Sequence, residues 1–174
     1  MQICMPVNLR SSFYESADQV QMENNFAPLP VKLPLENDLL TALRKIRVMS
    51  NQIRYSYPDI YATYILFWLT ATLVPSFIHL PVAVYFSKPF TLAFSNVPGS
   101  LKPMQFGKTK LLSHTPMMLS LGHIAVSISM MTYVDTLRFT MSTDTCVTKN
   151  PGELVAAIQE AVFKLLDLSE QKKA

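Results

Sequence analysis

The chain opens on an alternation, Ile3, Met5 and Val7 against Gln2, Cys4 and Pro6, which is the period-two signature of a strand. A strand already under way at the first residues predicts further sequence upstream. Residues 26–35, FAPLPVKLPL, mix apolar residues with three prolines. Because proline cannot donate to a ladder, they predict an extended edge strand or a polyproline-like segment. Glu36, Asn37 and Asp38 then supply a helix cap, and Leu39, Leu43, Ile46, Met49 and Ile53 recur at steps of three or four. The opposite face of that helix carries Arg44, Lys45 and Arg47, a solvated face or, alternatively, a contact for lipid or phosphate.

From Ile60 through Ser87 there is no Asp, Glu, Lys or Arg. That length suffices to cross a bilayer, but Pro75 and Pro81 interrupt it. The prediction is one helix to about Val74, a break, and a shorter element to about Phe86, either buried or inserted in a membrane as a hairpin. Residues 90–97 predict a strand stopped by Pro98, Gly99 and Ser100, and a second strand is expected over Met104–Leu112. The clearest hairpin follows. Gly122, Ile124, Val126, Ile128 and Met130 alternate with His123, Ala125, Ser127 and Ser129, and Leu137, Phe139 and Met141 alternate beyond a turn at Val134-Asp135. Asn150 as cap, Pro151 in the first turn and Glu153 three residues after the cap open a last helix with the stripe Leu154, Ile158, Ala161, Leu165 and Leu168. The sum is a mixed α/β layer architecture with antiparallel pairs, in one domain spanning residues 1–174.

Composition narrows the function. With 49% hydrophobic and 16% charged residues, 174 residues make a globular domain rather than a disordered tail. A net charge of +3 is too small to announce a nucleic-acid binder. Cys4 and Cys146 cannot build a disulfide framework, and neither has a metal-ligand neighbour at the right spacing, so no metal is expected. Gly99, Gly107, Gly122 and Gly152 stand too far apart for a phosphate loop or a dinucleotide fingerprint. The start lacks the basic residues and long apolar run of a signal peptide.

Catalytic chemistry is sparse. His79, His114 and His123 have no evident carboxylate to orient them, no G-x-S-x-G surrounds a serine, and the carboxylates are scattered, so no catalytic residue is assigned. The local feature that stands out is Ser95-Asn96-Val97-Pro98-Gly99, where an apolar strand ends in an amide and a Pro-Gly turn.

These residues resemble the C-terminal domain of the wax ester synthase/diacylglycerol acyltransferase-like O-acyltransferases. Met5-Pro6-Val7-Asn8-Leu9-Arg10 resembles that family's Pro-Val-(Asn/Ser)-Leu-Arg strand, followed by Asn25-Phe26 and Leu33-Pro34-Leu35. Ser95 to Gly99 is similar to its Asn-Val-Pro-Gly-Pro signature, with Ser100 in place of the last proline. Thr132-Tyr133 and Asp144 resemble its closing Ser-Tyr hairpin and Asp. The family's His-His-x-x-x-Asp-Gly lies in an N-terminal half, and none of the three histidines here has an Asp four residues on.

The resemblance implies one lobe of a chloramphenicol-acetyltransferase/condensation-like fold, a mixed sheet with an antiparallel hairpin packed by helices and an apolar helical insertion at 60–87. The catalytic lobe would be a separate, N-terminal one. It implies acyl-CoA as cosubstrate with no cofactor, and a fatty alcohol or diacylglycerol as acceptor. Asn96, Pro98 and Gly99, with Asn8 and Arg10 behind them, are the expected tunnel residues. Tyr64, Phe67 and Trp68 are expected to touch a membrane or lipid-droplet surface, at the endoplasmic reticulum or on droplets, or else to pack against the other lobe. The alternative from a different class is a catalytically dead membrane or lipid-droplet binding module.

Overall fold

Gln2–Asn8 forms β1 and Phe26–Lys32 forms β2, paired antiparallel from Gln2 opposite Lys32 to Asn8 opposite Phe26 in a computed structural model that describes residues 1–10, 25–55, 57–118 and 122–171. Leu9 N–H donates to Asn25 and Leu33 N–H to Met1, so the odd residues of β1 and β2 make the mutual hydrogen bonds. Pro28 and Pro30 therefore turn their donor-less nitrogens to the open edge, where no ladder bond is lost. Pro6 turns its nitrogen to the other side of β1, toward β3 (Leu92–Val97). The parallel pairing of β1 with β3 stops at Cys4 opposite Ala93, two residues short of that proline.

The edge-strand expectation thus holds, and the odd side chains of β2 face the core: Ala27, Leu29 and Val31 are buried with Ile3 and Ile60. Helix α1, Leu39–Tyr55, packs Met49 and Ile53 on that cluster. Asp38 caps it by accepting the Thr41 N–H at 2.8 Å, and hydrogen bonds from Thr41 hold its carboxyl below the usual range. Leu43, expected in the packed stripe, is instead exposed. Lys45 is not simply solvated, since it bridges Glu36 at 2.5 Å.

The apolar run divides where Pro75 predicted. Helix α2 is Tyr57–Leu73 and α3 is Ser76–Ser87, with Pro81 inside the latter. Among the described residues no helix is long and apolar enough to cross a membrane. Within this chain the run is only partly buried: Ile60 is enclosed, but the outer faces of both helices are exposed, with Leu73 and Phe77 about three-quarters open.

The sheet continues through β6, Val126–Tyr133, to β7, Thr136–Thr143, giving the order β2-β1-β3-β6-β7. β3 and β6 are parallel, and β6 and β7 form the expected antiparallel hairpin about Val134-Asp135. The best-buried residues of β6 are Ser127 (1% exposed), Ser129 and Tyr133, not the branched row beside them. The reason is the segment that follows β3. It crosses this face of the sheet, tied by Tyr133 to Met104 and Leu111 and by Thr140 to Pro116, and small serines let extended backbone lie close. The expected strand over Met104–Leu112 is a separate small hairpin, β4 (Gln105–Phe106) and β5 (Thr109–Lys110). Gly107, at φ 61°, supplies the left-handed turn that breaks it in two. Helix α4, Pro151–Gln171, closes the chain against β7, with Asn150 donating to Glu153 at 2.8 Å.

One strained residue is testable. Val134 holds φ 57° at the first position of a two-residue turn, a conformation that costs a β-branched side chain roughly 1–2 kcal/mol. Val134→Gly should raise stability by about 0.5–1 kcal/mol in urea unfolding. An unchanged or lower midpoint would count against the strain.

Candidate functional site

β1, β3 and β6 run parallel, so their carboxyl ends lie on one side of the sheet, the side where open α/β sheets bind ligands. Asn8 ends β1 and Arg10 follows it, Asn96, Pro98 and Gly99 end and follow β3, and Thr132-Tyr133 end β6. Segments far apart in sequence are gathered at one edge by the crossovers between parallel strands.

The edge is held by backbone-scale contacts. Gly99 N–H donates to the Thr132 hydroxyl at 3.1 Å, and Val134 N–H donates to the Ser100 carbonyl at 2.7 Å. A Cβ on Gly99 would fall 1.6 Å from the Thr132 carbonyl oxygen, so only glycine fits. The Asn8 carboxamide accepts the Arg10 N–H at 3.1 Å, which turns the chain as it leaves β1. Asn96 is exposed on the same side of the sheet as Phe94, past the packed core. Tyr133 is buried and two-handed: its hydroxyl accepts the Met104 N–H at 3.1 Å and donates to the Leu111 carbonyl at 2.7 Å. Sequence pattern marked Tyr133 as part of a motif but did not reveal this pin, because both partners are backbone groups in a segment read as a strand.

Asp144 does not join this edge. The β6–β7 hairpin returns it to the amino end, where its N–H donates to Ala125 and its carboxylate accepts the Cys146 N–H at 2.9 Å. That bond holds the Asp144 carboxyl below its ordinary range, while a hydrogen bond between the Cys146 side chain and the Asp144 carboxylate pushes the thiol up. Burial raises the Cys4 thiol, which argues against a ready nucleophile. Among the described residues no histidine forms an ion pair with a carboxylate, and no cluster of three metal-ligating side chains forms. His79 instead meets the edge of Phe67, ring centres 6.4 Å apart.

Of the aromatic residues singled out on α2, Tyr64 packs against the core cluster and Phe67 lies 6.3 Å from Phe26, whereas Trp68 is 52% exposed on the outer face. Two shallow depressions stand away from the Asn96 edge. One, of about 240 Å³, lies between β7 and α4 beside Phe139 and Val155, and the other, of about 290 Å³, lies along α1 beside Arg44 and Val48. Neither is closed enough to enclose a substrate.

Comparison with known proteins places the chain in a family. The family model described as the WS/DGAT C-terminal domain matches residues 22–166. Proteins of Mycobacterium bovis and Mycobacterium tuberculosis that carry the name diacylglycerol O-acyltransferase are 30% identical over 79 residues, 45% of this chain and 17% of their own length. The chain thus covers about a sixth of the relatives it matches. No solved structure matches it significantly.

Proposed function

The chain belongs to the WS/DGAT C-terminal domain family, and on that premise we propose that it is the carboxyl-terminal lobe of an acyl-CoA-dependent O-acyltransferase of neutral lipid synthesis. The reaction joins a fatty acyl group to a fatty alcohol or to the free hydroxyl of diacylglycerol. A base on the partner lobe takes the hydroxyl proton, the oxygen attacks the thioester carbonyl, and CoA leaves as the thiol. This chain contributes a tunnel wall and no general base of its own, so alone it is inactive.

The observation that carries the reading is the gathering of Asn8, Arg10, Asn96, Pro98 and Gly99 at the carboxyl ends of three parallel strands. Gly99 brings the backbones of β3 and β6 together there, and Asn96 offers an exposed amide on rigid backbone. The outer faces of α2 and α3, with Trp68, Leu66, Leu73 and Phe77, supply an apolar surface suited to a membrane or droplet interface where such substrates reside.

Asn96→Ala in the complete enzyme should lower turnover about tenfold, the loss of one hydrogen bond made in the transition state, at equal protein abundance. An unchanged rate would remove Asn96 from the tunnel.

A further inference from the structure

Between Asp59 and Asp135 the chain has no acidic residue at all, yet it carries Lys88, Lys102, Lys108 and Lys110. Lys88 lies over the Tyr85 ring at 4.8 Å. The other three gather on and beside the β4–β5 hairpin, all exposed, and none has an ion-pair partner among the described residues. Large apolar side chains are exposed alongside them: Phe106, between Lys102 and Lys108, is 71% exposed beside the Gly107 turn, and Leu112, just past Lys110, is 91% exposed at the hairpin's base.

This hairpin is held away from the body by its stem. Leu111 N–H closes on the Met104 carbonyl at 2.9 Å, and the Tyr133 hydroxyl ties the same two residues to the sheet. The tip is thereby pre-ordered in the open, and Phe106 stays solvent-facing instead of folding back on the core.

We propose that the β4–β5 hairpin is a contact for an anionic lipid surface, with Phe106 entering the acyl boundary and Lys102, Lys108 and Lys110 pairing with headgroup phosphates. Such a surface offers phosphate and hydrocarbon in adjacent layers, which matches an exposed aromatic on a hairpin that also carries exposed lysines at its turn and base. A free phosphate ligand such as CoA would call for an enclosing cleft, and neither depression adjoins these lysines. The proposal rests on the lipid-surface part of the reading above and adds to it a headgroup charge and the element that reads it.

The test is sedimentation of the full chain with vesicles of phosphatidylcholine alone and with about a third phosphatidic acid added. The wild type should prefer the anionic vesicles. The surface triple variant K102Q/K108Q/K110Q should lose about a hundredfold in binding to them while keeping its weaker binding to neutral ones. Phe106→Ser should weaken both by about tenfold. Equal binding to both vesicle types, unchanged in the triple variant, overturns the hairpin contact but leaves the α2–α3 surface standing. No binding to any vesicle overturns both. Displacement from anionic vesicles by CoA at concentrations near its own binding constant overturns the lipid assignment in favour of a CoA phosphate site, and binding of the hairpin lysines only to an added catalytic lobe overturns it in favour of a protein contact.

Discussion

Gly99→Ala is expected to destabilise the domain by about 3 kcal/mol or more. The added Cβ would sit 1.6 Å from the Thr132 oxygen and 2.9 Å from its carbonyl carbon, both backbone atoms of a central strand. No rotamer change relieves such an overlap, so β3 and β6 must part at their carboxyl ends. That movement also breaks the Gly99 bond to the Thr132 hydroxyl and the Val134 bond to Ser100. Gly152→Ala is the control, because there the nearest neighbour is the Asn150 carboxamide oxygen at 3.3 Å, the end of a movable side chain. Urea unfolding followed by circular dichroism reads both variants. Equal midpoints would show that the close approach of β3 to β6 is not what fixes this edge.

Tyr133→Phe should cost about 2–3 kcal/mol, because it keeps the ring but strands a backbone donor and a backbone acceptor together. The Met104 N–H and the Leu111 carbonyl have the tyrosine hydroxyl as a common partner, and Tyr133 is 5% exposed. The loss concentrates on the stem of the β4–β5 hairpin, so hydrogen exchange at the Met104 amide should accelerate well before that of β1 or β2. Exchange at Met104 that matches the wild type would contradict the pin.

Much of this was legible because local chemistry and global fold agree. Proline in 26–35 forbade a central strand, and β2 is an edge whose prolines face outward. Pro75 placed the break between α2 and α3 correctly, because its missing donor and ring disfavour a continued helix, although α3 runs on through Pro81. The Ser95–Gly99 turn and the Asn8–Arg10 strand end were recognised as separate pieces, and parallel pairing brings them to one edge.

Other features were hidden for physical reasons. Alternation in β6 could not say which row is better buried, since both faces of the sheet are covered and the serine row lies under extended backbone. One glycine at positive φ turned an expected strand into a hairpin. Asp144 was grouped with Thr132-Tyr133 by motif, although pairing Tyr133 with Thr136 already counts it back to Ala125 at the other end. For α2 and α3, apolar composition foretold helices but not what faces them, because burial by sheet, lobe or lipid leaves the same sequence mark.

The most direct measurement is acyl transfer from palmitoyl-CoA to hexadecanol or diacylglycerol by the purified chain, alone and mixed with a lobe bearing the His-His-x-x-x-Asp-Gly motif. Turnover in the mixture and none from the chain alone is the predicted result. Turnover by the chain alone would mean that His79, His114 or His123 is catalytic, and no turnover from two folded, associated lobes would contradict the assignment of this chain as half of an acyltransferase.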